Sequence, residues 1–141
     1  MSKLKNLAAN VILLTSTASA LAQSPEANIQ VIREYYAAYA TGDPEAVRPF
    51  LSKDVIWHIP EHHPLAGEKH GQNEVVAFFA GLAKGKFRAE PIFFQADGDL
   101  VVDIHRGWSN MGSGPEIDQL YALMFRIKDG KIAEAHGHAS V

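Results

Sequence analysis

Two histidines near the end of the chain, His136 and His138, have the spacing of a proton-transfer or metal-binding pair. They fall in a segment with strand composition, so both imidazole rings would lie on the same face of that strand. Imidazole titrates near neutral pH and binds transition metals, so either chemistry is open. A metal would need a third ligand from the loop at 61–63 (Glu-His-His), and no spacing in the sequence enforces that arrangement.

A carboxylate and an imidazole two residues apart, Asp103 and His105, form the second pattern that could do chemistry. On a strand the two side chains would share a face, where the carboxylate could fix the imidazole tautomer and raise its basicity. The same pattern is frequent on solvated strands, and Val102 and Ile104 on the opposite face would suit the core. We therefore expect Asp103 and His105 on an exposed face, with a proton-transfer pair as the alternative.

A short strand that runs into a histidine-rich loop predicts the mouth of a pocket. The strand at Val55 to Ile59 has β-branched and aromatic residues, and a proline then ends it because proline has no N–H for a sheet. Trp57 and Ile59 share a face and should point inward, either as pocket wall or as core. His58 should lie outside, and His63 either borders the entrance or lies in a solvated loop.

Three tyrosines could bind the hydroxyl or carbonyl groups of a ligand, or complete the core with their phenols at its polar rim. They are Tyr35, Tyr39 and Tyr121.

The first half of the chain has the helical signals that would position these residues. Ser24-Pro25-Glu26 starts a helix with apolar residues every 3.6 positions, ending near Thr41-Gly42. Asp43-Pro44-Glu45 starts a short second helix. The third helix is predicted over Glu74 to Ala83, where Phe79 lies among apolar residues at helical spacing.

The second half switches to a period of two, which predicts four strands. They cover Phe87 to Ala96, Leu100 to Trp108, Ile117 to Ile127 and Ile132 to about His138, with an Asp97-Gly98 hairpin turn after the first. Helices that precede an antiparallel meander predict an α+β fold with the helices on one face of a curved sheet. A bulge near Pro91 would invert the facing of the residues after it.

Composition excludes several classes of protein. The chain has 141 residues, 47% of them apolar, and a formal net charge of −3. It lacks the basic patch that nucleic-acid binding needs. It has no cysteine, so disulfides, thiolate metal sites and cysteine nucleophiles are excluded.

The first 22 residues have the order of a secretory signal peptide. Lys3 and Lys5 precede an apolar run, Leu7 to Leu14, and the small residues that follow end at Ala22. The apolar run is too short for a stable membrane span. We expect cleavage after Ala22, a single domain over residues 23–141, a periplasmic or secreted location, and no stable membrane insertion.

Several motifs, in this order, resemble the nuclear transport factor 2-like superfamily in its SnoaL-like and ketosteroid isomerase-like branch. They are Tyr35 to Glu45, Asp54 to Pro60, His63 to Gly67 and Phe125 to Ile132. The resemblance implies a cone, in which a curved antiparallel sheet wraps around three N-terminal helices and encloses one mainly apolar pocket. It also implies a homodimer that pairs through the outer face of the sheet, and no cofactor.

The resemblance also shows which catalytic residues of the ketosteroid isomerases have a counterpart in this sequence. The isomerase base is an Asp before the strand-ending proline, and that position here is Ile59. The tyrosine donor matches Tyr35, whereas the second donor, an Asp, falls near Leu123. Two of three parts are missing, so steroid isomerisation by that mechanism is not expected. SnoaL-like relatives place an aromatic residue at His136, which implies that His136 lines the pocket as the candidate acid/base.

The sequence therefore predicts an exported SnoaL-like protein whose pocket binds a small, mostly apolar molecule with a hydroxyl or carbonyl group. One alternative is an isomerase, dehydratase or cyclase-type lyase with His136 as acid/base and Tyr35 as a catalytic donor. Another is metal binding through histidines. The residues expected to contact the ligand are Trp57, Ile59, Tyr39, Phe79, Tyr121, His63 and His138.

Overall fold

The computed structural model describes residues 24–109 and 116–139. In chain order the elements are α1 (Pro25–Ala40), a 3₁₀ helix (Pro44–Phe50), β1 (Leu51–Ile59), β2 (Gly67–His70), α2 (Gly71–Lys84), β3 (Phe87–Asp97), β4 (Leu100–Ser109), β5 (Ile117–Lys128) and β6 (Lys131–Ala139). The predicted signal peptide lies outside the described residues and stays a prediction. Among the helices described, none has the length and apolar character needed to span a membrane.

The six strands form one curved, open sheet in the order β2-β1-β6-β5-β4-β3. Neighbouring strands are antiparallel except β1 and β6, which run parallel. The predicted α+β cone is confirmed, but the sheet is mixed because β6 joins β1 rather than standing at an edge. The short strand β2 was not predicted, since its four residues (Gly-Glu-Lys-His) carry no apolar alternation.

Side-chain caps fix the helix starts. The Ser24 hydroxyl accepts a hydrogen bond from the Ala27 N–H at 3.2 Å, as predicted for the start of α1. Helix α2 begins at Gly71, earlier than predicted, because the Glu74 carboxylate accepts a hydrogen bond from the His70 N–H at 2.6 Å and closes the first turn. The core lies between these helices and the inner face of the sheet, and its fully buried side chains include Ile32, Leu51, Val55, Phe125 and Ile132.

The alternation in β4 is opposite to the expected one. Asp103 and His105 face the interior, with 0% and 8% of their surface exposed, whereas Val102 and Ile104 lie outside. The expectation of an exposed acid and histidine is therefore wrong. Alternation shows which residues share a face but not which face is buried, and here the outer face of the sheet is itself apolar. Strand β3 is irregular near Pro91, with a register shift against β4 between Pro91 and Phe93.

Candidate active site

An apolar cavity lies between α1, α2 and the inner face of the sheet. Its volume is about 80 Å³, several times the roughly 10–15 Å³ that one buried water requires. It therefore has room for a small organic group. Seven of the residues expected at the ligand line it: Tyr35, Tyr39, Trp57, Ile59, His63, Phe79 and Tyr121. Their contacts with a ligand stay a prediction.

A buried polar cluster of Tyr36, Asp103 and His105 forms part of this cavity region. The Tyr36 hydroxyl donates a short hydrogen bond to Asp103 Oδ2. His105 Nδ1 lies 3.0 Å from Asp103 Oδ1 and 3.0 Å from the Tyr36 oxygen. Tyr36 and His105 also line the cavity. Helix α1 supplies the tyrosine and β4 supplies the other two, so the cluster joins the helix to the sheet.

The geometry of the cluster determines where its protons lie. The phenol has a single proton, which it donates to Asp103, so the Nδ1 atom of His105 must supply the proton for its own two contacts. In the neutral imidazole, Nε2 then carries a lone pair. That nitrogen makes no hydrogen bond within the described part of the chain, and its residue borders the cavity. A carboxylate that holds a histidine in this tautomer is the arrangement of a general base.

The neighbouring tyrosines keep their protons. Burial, together with the Tyr35 phenol and the Asp103 carboxylate, raises the pKa of Tyr36 well above its usual value. Burial likewise raises the pKa of Tyr35. Burial raises the pKa of Tyr39 to about 12 despite the charge of Arg88. All three phenols are therefore hydrogen-bond donors rather than bases at neutral pH.

Tyr35 and Tyr39 differ in what their hydroxyls bind. The Tyr39 hydroxyl donates to the Phe87 carbonyl oxygen at 2.7 Å and is occupied. The Tyr35 hydroxyl has no hydrogen-bond partner within residues 24–109 and 116–139. Because no buried side-chain oxygen or nitrogen described there lacks a partner, the Tyr35 hydroxyl must border open space, and Tyr35 lines the cavity. Its proton is therefore available to a ligand.

The ring of Tyr121 packs on His105 and holds it in place. The two rings are stacked, with centroids 5.4 Å apart and planes 14° from parallel. Gly107 makes room for the tyrosine, since a Cβ at this position would lie 2.6 Å from Tyr121 Cε2. Gln119 donates to the Tyr121 hydroxyl at 2.7 Å, which leaves the phenol proton free for another acceptor.

His63 lies at the cavity as a neutral donor. Its Nδ1 accepts a hydrogen bond from the Leu65 N–H at 2.9 Å, so the remaining proton is on Nε2. Partial burial lowers the pKa of His63 and favours this neutral form. The ring lies 5.3 Å from the Phe87 ring and 6.4 Å from the Tyr121 ring, centroid to centroid.

His136 and His138 lie away from the cavity, which corrects the expectation that His136 is part of its wall. Gly137 lines the cavity instead, and its two neighbours on β6 point to the opposite face because side chains alternate along a strand. His136 contacts Glu134, and its ring stacks on that of His58 at 4.0 Å between centroids. The His58 ring therefore faces the same side as His136, although His58 also borders the cavity. The candidate acid/base is therefore His105 rather than His136.

The two isomerase positions without an acid remain apolar in the structure. Ile59 and Leu123 both line the cavity, so the carboxylate in this region is Asp103 on the neighbouring strand. Sequence reasoning missed Tyr36, because only Tyr35 of the tandem pair was matched to the family donor. The spacing of Asp103 and His105 was the signal that could have found the cluster, once its strand face was known.

Comparisons with known proteins agree with this architecture. A family described as the SnoaL-like domain matches residues 32–135. An uncharacterised protein of Mycobacterium tuberculosis is 29% identical over 112 residues, covering 76% of this chain and 84% of the relative. A nuclear transport factor 2-like protein of unknown function from Burkholderia pseudomallei has a TM-score of 0.71 and 26% identity, covering 80% of this chain and 90% of that one. TerC, co-crystallised with polyporic acid, has a TM-score of 0.71 and 25% identity, covering 80% of this chain and 91% of its own.

The family match spans most of the chain and includes the second half of α1, the start of the sheet and β4. Together with the cone and its cavity, it shows that the chain belongs to the SnoaL-like domain family, within the nuclear transport factor 2-like superfamily.

Proposed function

We propose that this protein transfers a proton on a small, mostly apolar molecule that carries a carbonyl or hydroxyl group, with His105 as the acid/base. The observation that carries the proposal is the buried Tyr36–Asp103–His105 cluster, in which a carboxylate fixes the imidazole and leaves Nε2 for the cavity. A buried carboxylate is costly unless it is well hydrogen-bonded, and here two donors satisfy it.

The reaction uses these groups in sequence. His105 Nε2 takes a proton from the carbon beside a carbonyl, and Asp103 stabilises the imidazolium that forms. The negative charge that develops on the carbonyl oxygen accepts a hydrogen bond from the Tyr35 hydroxyl, which burial keeps protonated. In an unsaturated ketone, return of the proton from His105 to the far carbon of the extended enolate moves the double bond and gives isomerisation. In a β-hydroxy ketone, the C–O bond breaks as the double bond forms, and the hydroxyl takes the proton from His105 and leaves as water.

Two further observations support a small organic ligand. The cavity walls are largely aromatic, with Trp57 and Phe79 in edge contact at 5.3 Å between centroids, and such walls suit an apolar molecule with few polar groups. TerC, which has the same fold and 25% identity, was co-crystallised with polyporic acid. The likeness supports a ligand of that general kind without identifying it.

The test is hydrogen exchange at carbon, which needs no knowledge of the natural substrate. A panel of small cyclic and aromatic ketones is incubated with the protein in D₂O, and NMR follows loss of the hydrogens beside the carbonyl. We expect the protein to accelerate the exchange, and His105→Gln to lower that acceleration by about 10²–10⁴-fold, the usual contribution of general acid–base catalysis.

The matched control is His62→Gln, since His62 is an exposed histidine of the loop after β1. It should exchange ketones at the wild-type rate. If the wild-type protein binds ketones, seen as chemical-shift changes of cavity residues, and yet exchanges them only at the buffer rate, the cavity is a binding site and the catalytic proposal fails. Equal rates for His105→Gln and wild type would also contradict it.

A further inference from the structure

A second polar cluster lies on the outer face of the sheet, across β2, β1 and β6. In the sheet register, His58 on β1 is opposite Glu68 on β2 and His136 on β6. Glu134 precedes His136 by two residues and therefore lies on the same face of β6. His58, Glu134 and His136 each offer one ligand atom, and these atoms all lie within 4.8 Å of one another. Two adjacent strands, β1 and β6, therefore bring two imidazoles and a carboxylate to one point.

We propose that His58, Glu134 and His136, here called the outer histidine site, bind a divalent transition-metal ion such as Zn²⁺. Two imidazole nitrogens and one carboxylate oxygen are a donor set that Zn²⁺ accepts, with water completing the coordination. The closest pair already in contact is His136 Nε2 and Glu134 Oε1, at 2.5 Å. An ion would enter between these atoms after small rotations of partly exposed side chains.

The surrounding residues orient and charge the site. Glu68 Oε2 lies 3.0 Å from His58 Nδ1, and Glu68 Oε1 lies 2.6 Å from His70 Nε2, so this carboxylate can fix the His58 ring. Arg126 Nε lies 3.6 Å from Glu134 Oε2, but its Nη1 is paired with Asp99 at 2.9 Å. Glu68 and Glu134 bring two carboxylates to the cluster, and carboxylates attract a cation.

The packing of the two rings places both imidazoles together at the surface of the sheet. The His58 and His136 rings are stacked at 4.0 Å between centroids and 11° between planes. The stacking holds the two imidazoles side by side, so a single ion could reach a nitrogen of each ring. Their side chains are 33% and 29% exposed, which leaves an entry path from solvent.

Glu134 and His136 do not line the cavity, whereas His58 borders it and lies between the two sites. In the metal-binding alternative drawn from the sequence, His136 shares an ion with His138 and a third ligand from residues 61–63. The structure instead supplies His58 from the parallel neighbour strand and Glu134 from β6 itself. The proposal does not depend on proton transfer at His105, which lies on the inner face of the sheet.

The experiment is titration of chelator-treated full-length protein with ZnCl₂, followed by isothermal calorimetry, and with CoCl₂, followed by visible absorption. We expect one ion per chain, with a Kd in the micromolar range or below, and cobalt absorption typical of nitrogen and oxygen ligands. His58→Ala and His136→Ala should each weaken binding at least 100-fold. Glu134→Gln, which keeps the shape but removes the charge, should also weaken it, so the result does not rest on one variant.

Two controls separate this site from other histidines and from the cavity. His62→Ala, at an exposed histidine outside the cluster, and His105→Gln, in the cavity, should bind Zn²⁺ as the wild type does. The proposal is overturned if the wild type takes up no ion at 100 μM Zn²⁺. It is also overturned if the outer-site variants, folded by circular dichroism, bind as tightly as the wild type.

Discussion

Two histidines at the cavity show how local contacts assign opposite roles to one residue type. The Asp103 carboxylate places the proton of His105 on Nδ1, so its Nε2 is an acceptor. The Leu65 N–H donates to Nδ1 of His63, so its Nε2 is a donor. A ligand in the cavity would therefore meet a base on β4 and a neutral donor in the loop after β1.

The lowered pKa of His63 makes stability depend on pH. In the unfolded chain histidine titrates near pH ~6.5, and in the fold partial burial moves the pKa of His63 lower. In acid the unfolded state binds more protons, so the free energy of unfolding falls as pH drops from about 6.5 toward the folded pKa. His63→Gln should flatten this slope, as measured by urea unfolding at several pH values from 7.5 to 5.

His62→Gln is the matched control, because His62 is the exposed neighbour in the same loop. It should keep the wild-type slope. If His63→Gln and wild type lose stability in parallel as the pH falls, the imidazole of His63 is not held neutral by the fold.

For individual residues, the sequence predicted the apolar walls of the cavity better than it predicted which polar side chains face the cavity. Trp57 and Ile59 line the cavity as expected, because their strand has one clearly apolar face. The facing of Asp103 and His105 could not be predicted, because both faces of β4 carry apolar residues and only the tertiary fold decides which one is covered. His136 was placed in the cavity by analogy alone, and its strand has Ala135 and Gly137 on the inner side.

Strand β4 is the element that builds the site, and Gly107 is the residue that lets it do so. Asp103, His105 and Gly107 occupy successive positions on its inner face and provide a carboxylate, an imidazole and a position without a side chain. Because Gly107 has no side chain, the ring of Tyr121 on β5 fits against it and stacks on His105. A side chain at residue 107 would therefore displace the Tyr121 ring and so disturb His105 without contacting it.

Gly107→Ala tests this packing. The new Cβ would lie 2.6 Å from Tyr121 Cε2 and 2.8 Å from Cδ2. We expect a loss of about 1–3 kcal/mol in the free energy of unfolding, the usual range for overpacking. In a Tyr121→Ala background the same change should be neutral or slightly stabilising, since the ring is gone. Urea unfolding of the four proteins in the cycle measures the coupling, and an equal loss in both backgrounds would contradict the stated contact.

The elements themselves were largely predictable. Caps and apolar periods predicted both α-helices and the four strands of the meander to within a few residues, because these signals are local. The polar strand β2 has no such signal and forms only because it pairs with β1. The parallel pairing of β1 with β6 joins residues about 80 positions apart along the chain, and no local pattern carries that information.

At the scale of the whole molecule, a group of large apolar side chains is exposed on the outer face of the sheet. All five large apolar side chains that are exposed in the described residues lie on β3, β4 and β5: Ile92, Phe93, Val102, Ile104 and Leu120. The irregularity in β3 contributes, because it leaves two consecutive residues, Ile92 and Phe93, both outside. Exposed apolar patches of this kind mark interaction surfaces.

We expect two copies of the chain to pair through this patch. Ile104 lies within it, opposite Phe93 on β3 and Ala122 on β5. Ile104→Lys would bury a charge in the contact and should convert a dimer into a monomer in sedimentation velocity at micromolar concentration. Ala77→Lys, on the exposed side of α2, is the control and should stay dimeric. A monomeric wild type, or an Ile104→Lys protein that still sediments as a dimer, would contradict this expectation.

The central position of β6 also bears on how the protein forms during synthesis. This strand leaves the ribosome after all the others, yet it fills the space between β1 and β5. Until it arrives, the nascent chain holds β1 and β2 on one side and β3 to β5 on the other, each with an unpaired inner edge. Such edges invite pairing with other chains. Capture of the unfinished chain by a ribosome-associated chaperone should therefore persist until β6 has emerged and joined the two halves.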